Sequence, residues 1–377
     1  MTVQLAIHPR EGSFSGRWMA YCDEHKIPYR LVNCLDSDII RQLASVDALL
    51  WHWPHQDPRV QLMARQVIMA VEAMGVAVFP STATCWHFDD KVAQKYLLEA
   101  IGAPLVPTYV FYDLNEALQW IDGAVFPKVF KLRTGGGSLN VRLVRHAQQA
   151  RMLARQAFTD GFRPVASYRQ DARKRWRTAR QQRNFFGVVK RLPRTLATIR
   201  QLNRALGREK GYIYFQDFVP DNQFDTRVTV IGNRAFAYTR NVRPGDFRAS
   251  GSGAIVYDVH RIHPQCIQIA FKVTRKVGSQ SMAFDFVLAG HQQPMLVEVS
   301  YCYIPVLVYQ CTGHWDDQLT WHQGHMWPQD AILIDLLEDL CLHTLSGVQP
   351  RAIKQTTGSG FPAKHNPGCG SFGTTAK

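Results

Sequence analysis

Ser281-Met-Ala-Phe-Asp-Phe-Val-Leu-Ala-Gly-His-Gln-Gln-Pro-Met-Leu-Val-Glu-Val-Ser300 decides how this chain is read. Two apolar, β-prone runs flank the polar turn Gly290 to Pro294, which predicts a hairpin. Asp285 lies inside the first run and Glu298 inside the second. A carboxylate in apolar surroundings is costly unless a cation or a hydrogen-bond network compensates it. A hard divalent cation such as Mg²⁺ takes oxygen ligands, commonly one or two carboxylates plus phosphate oxygens. The pair therefore fits metal-dependent nucleotide chemistry. It fits equally a hairpin whose acids face solvent, and the rest of the chain must decide.

Upstream, Phe126 to Val144 reads as strand, glycine loop, strand, with Thr134-Gly-Gly-Gly-Ser138 between the strands. Glycines allow close approach of backbone amides to phosphate oxygens. No Gly-Lys-Ser/Thr opens a helix there, so it is not a Walker A loop, and alone it reads as a tight turn. Lys131 lies in the apolar strand Val129 to Leu132, where a lysine needs an anion or an outward direction. Lys91 starts a helix after Asp89 and Asp90. Phe215-Gln-Asp-Phe-Val219 is a strand exit whose main chain, with Gln216, can read an adenine edge. Asp225 and Arg227 lie two apart, on one face of a strand. Arg240, Arg243 and Arg248 occupy a glycine-rich stretch ending at Gly253, which suits bound phosphates or carboxylates. A solvated loop is the plain alternative for any one of these arginines.

The 377 residues provide for two or three units of domain size, and 46% hydrophobic content is ordinary for a soluble globular protein. No apolar run approaches the ~18 residues of a membrane helix, and Val3 to Glu11 is not a signal peptide. The cysteines at 22, 34, 85, 266, 302, 311, 341 and 369 form no Cys-x-x-Cys and no Cys/His cluster, so they read as reduced cytosolic thiols. Of 44 basic and 30 acidic side chains, 17 and 3 fall between Arg151 and Lys210, leaving 27 of each elsewhere. The net charge of +14 therefore belongs to one segment.

Alternating strands and helices over residues 1–88 predict a small parallel α/β domain. The turn Ser13-Phe14-Ser15-Gly16 falls where the first strand meets the first helix, an edge at which ligands gather in open parallel sheets. Residues 89–150 form the first part of a second α/β unit with the glycine loop. Residues 151–210 read as a basic helical insertion, residues 211–348 resume the nucleotide and metal unit, and 349–377 form a disordered Gly/Thr/Ser/Pro tail. Trp51-His52-Trp53-Pro54-His55 and Trp86-His87 offer a polar pocket lined by aromatics for an acceptor substrate; satisfied structural histidines are the commoner outcome.

The order of these elements resembles the ATP-grasp superfamily: helix-start lysine, strand lysine with glycine loop, Gln-Asp-Phe-Val, Asp-x-Arg, arginine/glycine loop, then Asp…Glu-Val-x. The resemblance is closest to the branch of the ligase that adds glutamate to a ribosomal protein, through Gly245-Asp-Phe-Arg248, and covers roughly residues 1–345. Stretches such as Phe224-Asp-Thr-Arg227 and Asp246-Phe-Arg-Ala-Ser-Gly251 are also similar to a bacterial group found near cell-surface glycan genes.

The resemblance implies an α/β ATP-grasp fold preceded by a parallel α/β domain, using ATP and Mg²⁺, with Mn²⁺ as an alternative metal. Lys91 and Lys131 would hold phosphates, and Gly135, Gly136, Gly137 and Ser138 would close over them. Gln216, with the backbone of Asp217 and Val219, would bind adenine, and Asp225 would hold ribose. Arg240 and Arg248 would be catalytic, stabilising γ-phosphate and acyl-phosphate charge. Asp285 and Glu298 would be metal ligands. The family's Asn two residues after the glutamate is Ser300 here, a shorter and weaker ligand that puts the second metal in question.

The implied activity is an ATP-dependent carboxylate–amine ligase forming ADP, acting on small-molecule or glycan carboxylates and amines. A phosphotransferase that forms no amide is one alternative. Another is a nucleotide-binding protein that docks through the basic insertion on an anionic membrane surface or nucleic acid. Each Lys or Arg near such a membrane contributes about 1 kcal/mol, and Trp176, Phe185 and Phe186 are candidates for insertion at the interface. Nucleic acid is disfavoured, because no base-reading module is present. The expected location is the cytoplasm or the inner face of its membrane.

Overall fold

The computed structural model describes residues 3–53, 58–135, 140–163, 207–243, 246–251 and 253–346. Most of the basic segment, Gly136 to Ser138, Pro244 and Gly245, His55 and the tail lie outside them.

The chain opens on a parallel sheet. Strands β1 (Leu5–Ile7), β2 (Tyr29–Leu31), β3 (Ala48–Leu50) and β4 (Ala77–Phe79) stand in the order β2-β1-β3-β4. Helices α1 (Ser15–His25), α2 (Ile39–Gln42) and α3 (Pro58–Ala73) connect them. Every residue of β1 and β3 is buried, which is why these strands read as continuous apolar runs rather than alternating ones.

Two antiparallel sheets follow. Helices α4 (Thr82–Cys85) and α5 (Lys91–Ala100) lead into β5 (Thr108–Phe111), α6 (Leu114–Gly123), β6 (Lys128–Lys131), β7 (Val141–Val144), α7 (Ala147–Phe158) and β8 (Ile213–Asp217). Strands β5-β8-β6-β7 form one sheet, covered by α6 and α7. The larger sheet comes from β9 (Phe224–Ile231), β10 (Arg234–Asn241), β11 (Ile255–Val256), β12 (Ser281–Ala289), β13 (Gln293–Ser300), β14 (Gly313–Asp316) and β15 (Trp321–Gln323). Its order is β13-β12-β9-β10-β14-β15, with β11 on β10. Helix α8 (Pro264–Val277) packs on it; Pro264 suits the first turn, and Gly278 closes the helix at φ 71°. Helices α9 (Pro305–Tyr309) and α10 (Pro328–Ser346) complete the described chain.

The hairpin expected at Ser281–Ser300 is present as β12 and β13. It places Asp285 directly opposite Glu298, with a register irregularity after Asp285. Residues directly opposite on an antiparallel pair share a face, with Cβ atoms about 4.5–5.5 Å apart. Leu296 hydrogen-bonds to Pro104 and Val106 at 2.7 and 2.9 Å, joining the large sheet to the lead into β5. The core of the parallel sheet continues into Tyr301, Tyr303 and Leu333, so the segment after Ser300 is bolted to the first sheet. Among the described residues no helix is long and apolar enough to cross a membrane.

Candidate functional site

A cleft lies between the two antiparallel sheets. Lys91, Lys131, Gly135, Gln216, Asp217, Val219, Asp225, Arg248, Asp285 and Glu298 line it, together with apolar residues including Val106, Val129, Phe218, Phe247 and Val297. The elements singled out in sequence thus converge from five strands, one helix and three loops.

Buried charges organise one wall. Arg227 lies opposite Asp285, and Arg240 opposite Asp225, in the register of β9 with its two neighbours. Arg227 donates two hydrogen bonds to Asp285, both at 2.7 Å. Arg240 grips Asp225 at 2.7 and 2.6 Å and also meets Asp285 at 2.9 Å. Burial opposes the charge of Asp285, but the two guanidinium groups overcome it and hold the carboxyl well below the usual carboxylate range. Asp285 therefore stays ionised. Asp225 lines the cleft with both oxygens already bound, so its expected ribose contact competes with Arg240. Arg240 is buried behind the wall as a brace between two aspartates and does not line the cleft.

Two lysines face this wall. Lys91 Nζ donates to the Gly135 carbonyl at 2.7 Å and meets Glu298 at 3.2 Å. Burial disfavours its charge, yet Glu298 and Asp89 raise its pKa above the ordinary value. Lys131 Nζ donates to Gln216 Oε1 at 2.6 Å. Burial dominates there and pushes its pKa down to about 8. Gln216 spends its amide on Thr108 Oγ1 at 3.0 Å, so its side chain positions Lys131, while the backbone of the strand exit lines the cleft.

Asp89 and Glu209 carry roles that the sequence did not signal. Asp89 adopts φ 53° and accepts a hydrogen bond from Gly135 N–H at 2.8 Å; burial pushes its pKa up to about 7. Glu209 accepts the N–H groups of Arg133 and Thr134 at 3.0 and 3.3 Å, and the hydroxyls of Thr134 and Tyr212. Together they fix the entrance of the glycine loop. A doubled aspartate before Lys91 and a lone acid at the end of a basic segment were the faint signals available.

Arg248 lines the cleft and folds onto Asp246 at 2.6 Å within its own loop. Ser300 does not line it. Its hydroxyl donates to the Cys302 carbonyl at 3.0 Å and accepts the Cys302 N–H at 3.1 Å, closing a turn. Gly136, Gly137 and Ser138 fall outside the described residues.

Asp285 and Glu298 are the oxygen donors that would suit a hard cation here, and at Asp285 a cation would compete with Arg227 and Arg240, which already hold both oxygens. Asp285 is ionised, Glu298 engages Lys91 through one oxygen, and its side chain is 32% exposed. Three carboxylates, Asp225, Asp285 and Glu298, meet four cations, Lys91, Lys131, Arg227 and Arg240, so the cleft tolerates added negative charge when a metal accompanies it. Among the described residues no cluster of three or more His, Cys, Asp or Glu side chains forms a self-sufficient metal cage.

A family model, the RimK-like ATP-grasp domain, matches residues 184–302. That span contains Gln216, Asp225, Arg240, Arg248, Asp285 and Glu298. Lys91 and Lys131 precede it, on elements that line the same cleft. The D-cycloserine synthetase DcsG shares the fold at a TM-score of 0.52 and 16% identity, over 88% of this chain and 99% of that one. D-alanine–D-alanine ligase from Bacillus anthracis, complexed with ATP, gives 0.51 at 10% identity over 91% and 99%. Biotin carboxylase from Campylobacter jejuni gives 0.54 at 12% identity over 88% of this chain and 70% of that one. No curated protein matches this chain by sequence.

Proposed function

We propose that this protein is an ATP-dependent ligase that activates a carboxylate as an acyl phosphate and joins it to an amine. The observation that supports it most is the register pairing of Asp285 with Glu298 in one cleft with Lys91, Lys131 and Gln216. Lys91 and Lys131 hold the nucleotide phosphates, Gly135 to Ser138 cover them, and the backbone of Asp217 and Val219 receives the adenine. Asp285 and Glu298 hold Mg²⁺, which when bound offsets phosphate charge. Ser300, with its hydroxyl spent locally, is left out of that set, so one tightly held metal is expected.

The chemistry balances without a protein nucleophile. A substrate carboxylate oxygen attacks the γ-phosphorus, and the bond to the bridging oxygen breaks, releasing ADP. The amine nitrogen then attacks the acyl carbon and loses a proton, and phosphate departs with the bonding pair. The cations' part is to stabilise charge as it develops, a preorganised electrostatic contribution. Arg248 supplies one such charge once it exchanges Asp246 for substrate. Arg240 acts through Asp285 and Asp225, as a positioning residue.

The test incubates the purified chain with Mg-ATP and a matrix of carboxylates and amines, including sugar acids and amino sugars because of the resemblance to a glycan-associated group. Acid-dependent release of ADP and phosphate with an amide product is expected. A stable phosphorylated acid with no amide would establish a phosphotransferase instead. Absence of both nucleotide binding and phosphate release would end the proposal.

A further inference from the structure

Three buried polar side chains form a relay at one side of the cleft. Thr108 opens β5, Gln216 lies near the end of β8 and Lys131 closes β6; they are 7%, 2% and 4% exposed. Thr108 lies directly opposite Gln216 in the pairing of β5 with β8. Gln216 lies opposite Val129, two residues before Lys131, in the pairing of β8 with β6. Opposed residues share a face, as do residues two apart on a strand, so all three side chains meet on one side of the sheet.

One carbonyl fixes the direction of this relay. The Thr108 hydroxyl donates its only proton to the Val106 carbonyl at 2.7 Å. Towards Gln216 it can only accept, and it receives the Nε2 amide at 3.0 Å. The amide is thereby turned so that Oε1 faces Lys131, whose ammonium donates to it at 2.6 Å. A reversed amide would set donor against donor at Lys131 and acceptor against acceptor at Thr108. The Tyr214 phenol, also buried, interacts with the same Thr108 side chain.

The relay ends on the strand of Glu298. Val106 N–H donates to the Leu296 carbonyl at 2.9 Å. Lys131 Nζ and Gln216 Nε2 each lie 3.5 Å from the Val297 carbonyl, immediately before Glu298. Val106, Lys131, Gln216, Val297 and Glu298 line the cleft, whereas Thr108 does not. Whatever Thr108 does for a bound ligand, it does through these neighbours.

We propose that Thr108 is a positioning residue for the nucleotide phosphates: its hydroxyl sets the polarity of the Gln216 amide, which holds Lys131 in place beside the strand of Glu298. This role rests on the ATP-binding part of the ligase reading and adds to it a residue outside the cleft lining. Valine keeps the shape of threonine without the hydroxyl. It leaves Gln216 Nε2 only the longer contact with Val297 and removes the constraint on the direction of the amide. Serine keeps the hydroxyl.

Wild type, Thr108→Val and Thr108→Ser are titrated with Mg-AMP-PNP and, separately, with adenosine, which offers base and ribose without phosphates. Thr108→Val is expected to weaken Mg-AMP-PNP binding roughly tenfold and adenosine binding by less than about twofold, because the hydrogen bond disturbed is one made to the phosphate-holding cation. Thr108→Ser is expected to bind both ligands within about twofold of wild type. Thr108→Ala also removes the hydroxyl and should show the same split, which keeps the test open if the valine variant fails to fold. Unchanged Mg-AMP-PNP affinity without the hydroxyl, an equal loss for both ligands, or a serine variant as weak as the valine variant would overturn the role of Thr108 alone. No binding of Mg-AMP-PNP by wild type would end the ligase reading, and the role of Thr108 with it.

Discussion

Replacing Arg227 with methionine isolates the buried charge network. The substitution keeps the apolar stem and removes two hydrogen bonds of 2.7 Å to Asp285. Both side chains are largely buried, at 16% and 9% exposure. Removing one member of a buried ion pair costs about 3–5 kcal/mol, chiefly because the other charge is stranded. Asp285 keeps Arg240 at 2.9 Å, which puts the expected loss at the lower end, about 3 kcal/mol. At roughly 2–4 °C per kcal/mol, the melting temperature should fall by roughly 6–12 °C. Asp285→Asn strands the arginines in turn, so the double variant should be less damaged than the sum, by roughly 1–3 kcal/mol. Urea unfolding of wild type, both single variants and the double variant measures the cycle. The folded pKa of Asp285 is depressed, so its contribution is fully present above the ordinary carboxylate range and is lost only as pH falls below it. The gap between wild type and Arg227→Met should accordingly narrow below about pH 4. A loss under about 1 kcal/mol, or simple additivity, would refute a coupled network.

Three further outcomes follow from the cleft. Lys131 titrates near pH 8 in the free protein because of burial, so AMP-PNP binding at pH 8 should take up roughly half a proton and at pH 6.5 almost none. Calorimetry in buffers of different ionisation enthalpy reads this, and Lys131→Met should abolish the uptake. Asp89 has a raised pKa of about 7, so the stability linked to its protonated form is present at low pH and lost as pH rises towards 7. Asp89→Asn should therefore gain on wild type between pH 5 and 8 in urea unfolding; a constant difference would contradict the assignment. Glu209→Gln removes a carboxylate that receives two backbone N–H groups at the loop entrance, and AMP-PNP affinity should drop roughly tenfold with little change in melting temperature; unchanged affinity would mean that the loop is fixed by other contacts.

Local signals carried the elements, and pairing escaped them. Helix Pro264–Val277 carries its signals locally, with proline in its first turn and glycine at its end. The hairpin of Asp285 and Glu298 was legible from two apolar runs and one polar turn. The network behind it was not. It depends on β12 lying beside β9, so that Arg227 opposes Asp285, and on Arg240 opposing Asp225 from β10. Strand order is a property of the folded sheet and leaves no local trace. Arg240 therefore read as a free phosphate ligand, where the fold makes it a brace. Ser300 read as a weakened metal ligand, where its hydroxyl closes the turn to Cys302. Strands β11, β14 and β15 were not anticipated, since runs of two to four residues such as Trp321–Gln323 are too short to show alternation. His52 fell between the two readings considered for it. It is buried among aromatics as a structural histidine would be, yet one of its nitrogens remains unsatisfied.

The most direct measurement is an equilibrium titration of the purified chain with AMP-PNP, with Mg²⁺ and with EDTA, in wild type, Lys131→Met and Glu298→Gln. The Asp285–Glu298 site predicts saturable binding that needs Mg²⁺ and weakens by about tenfold or more in each variant. Binding that is indifferent to Mg²⁺ and to both substitutions, or no binding at all, would contradict it.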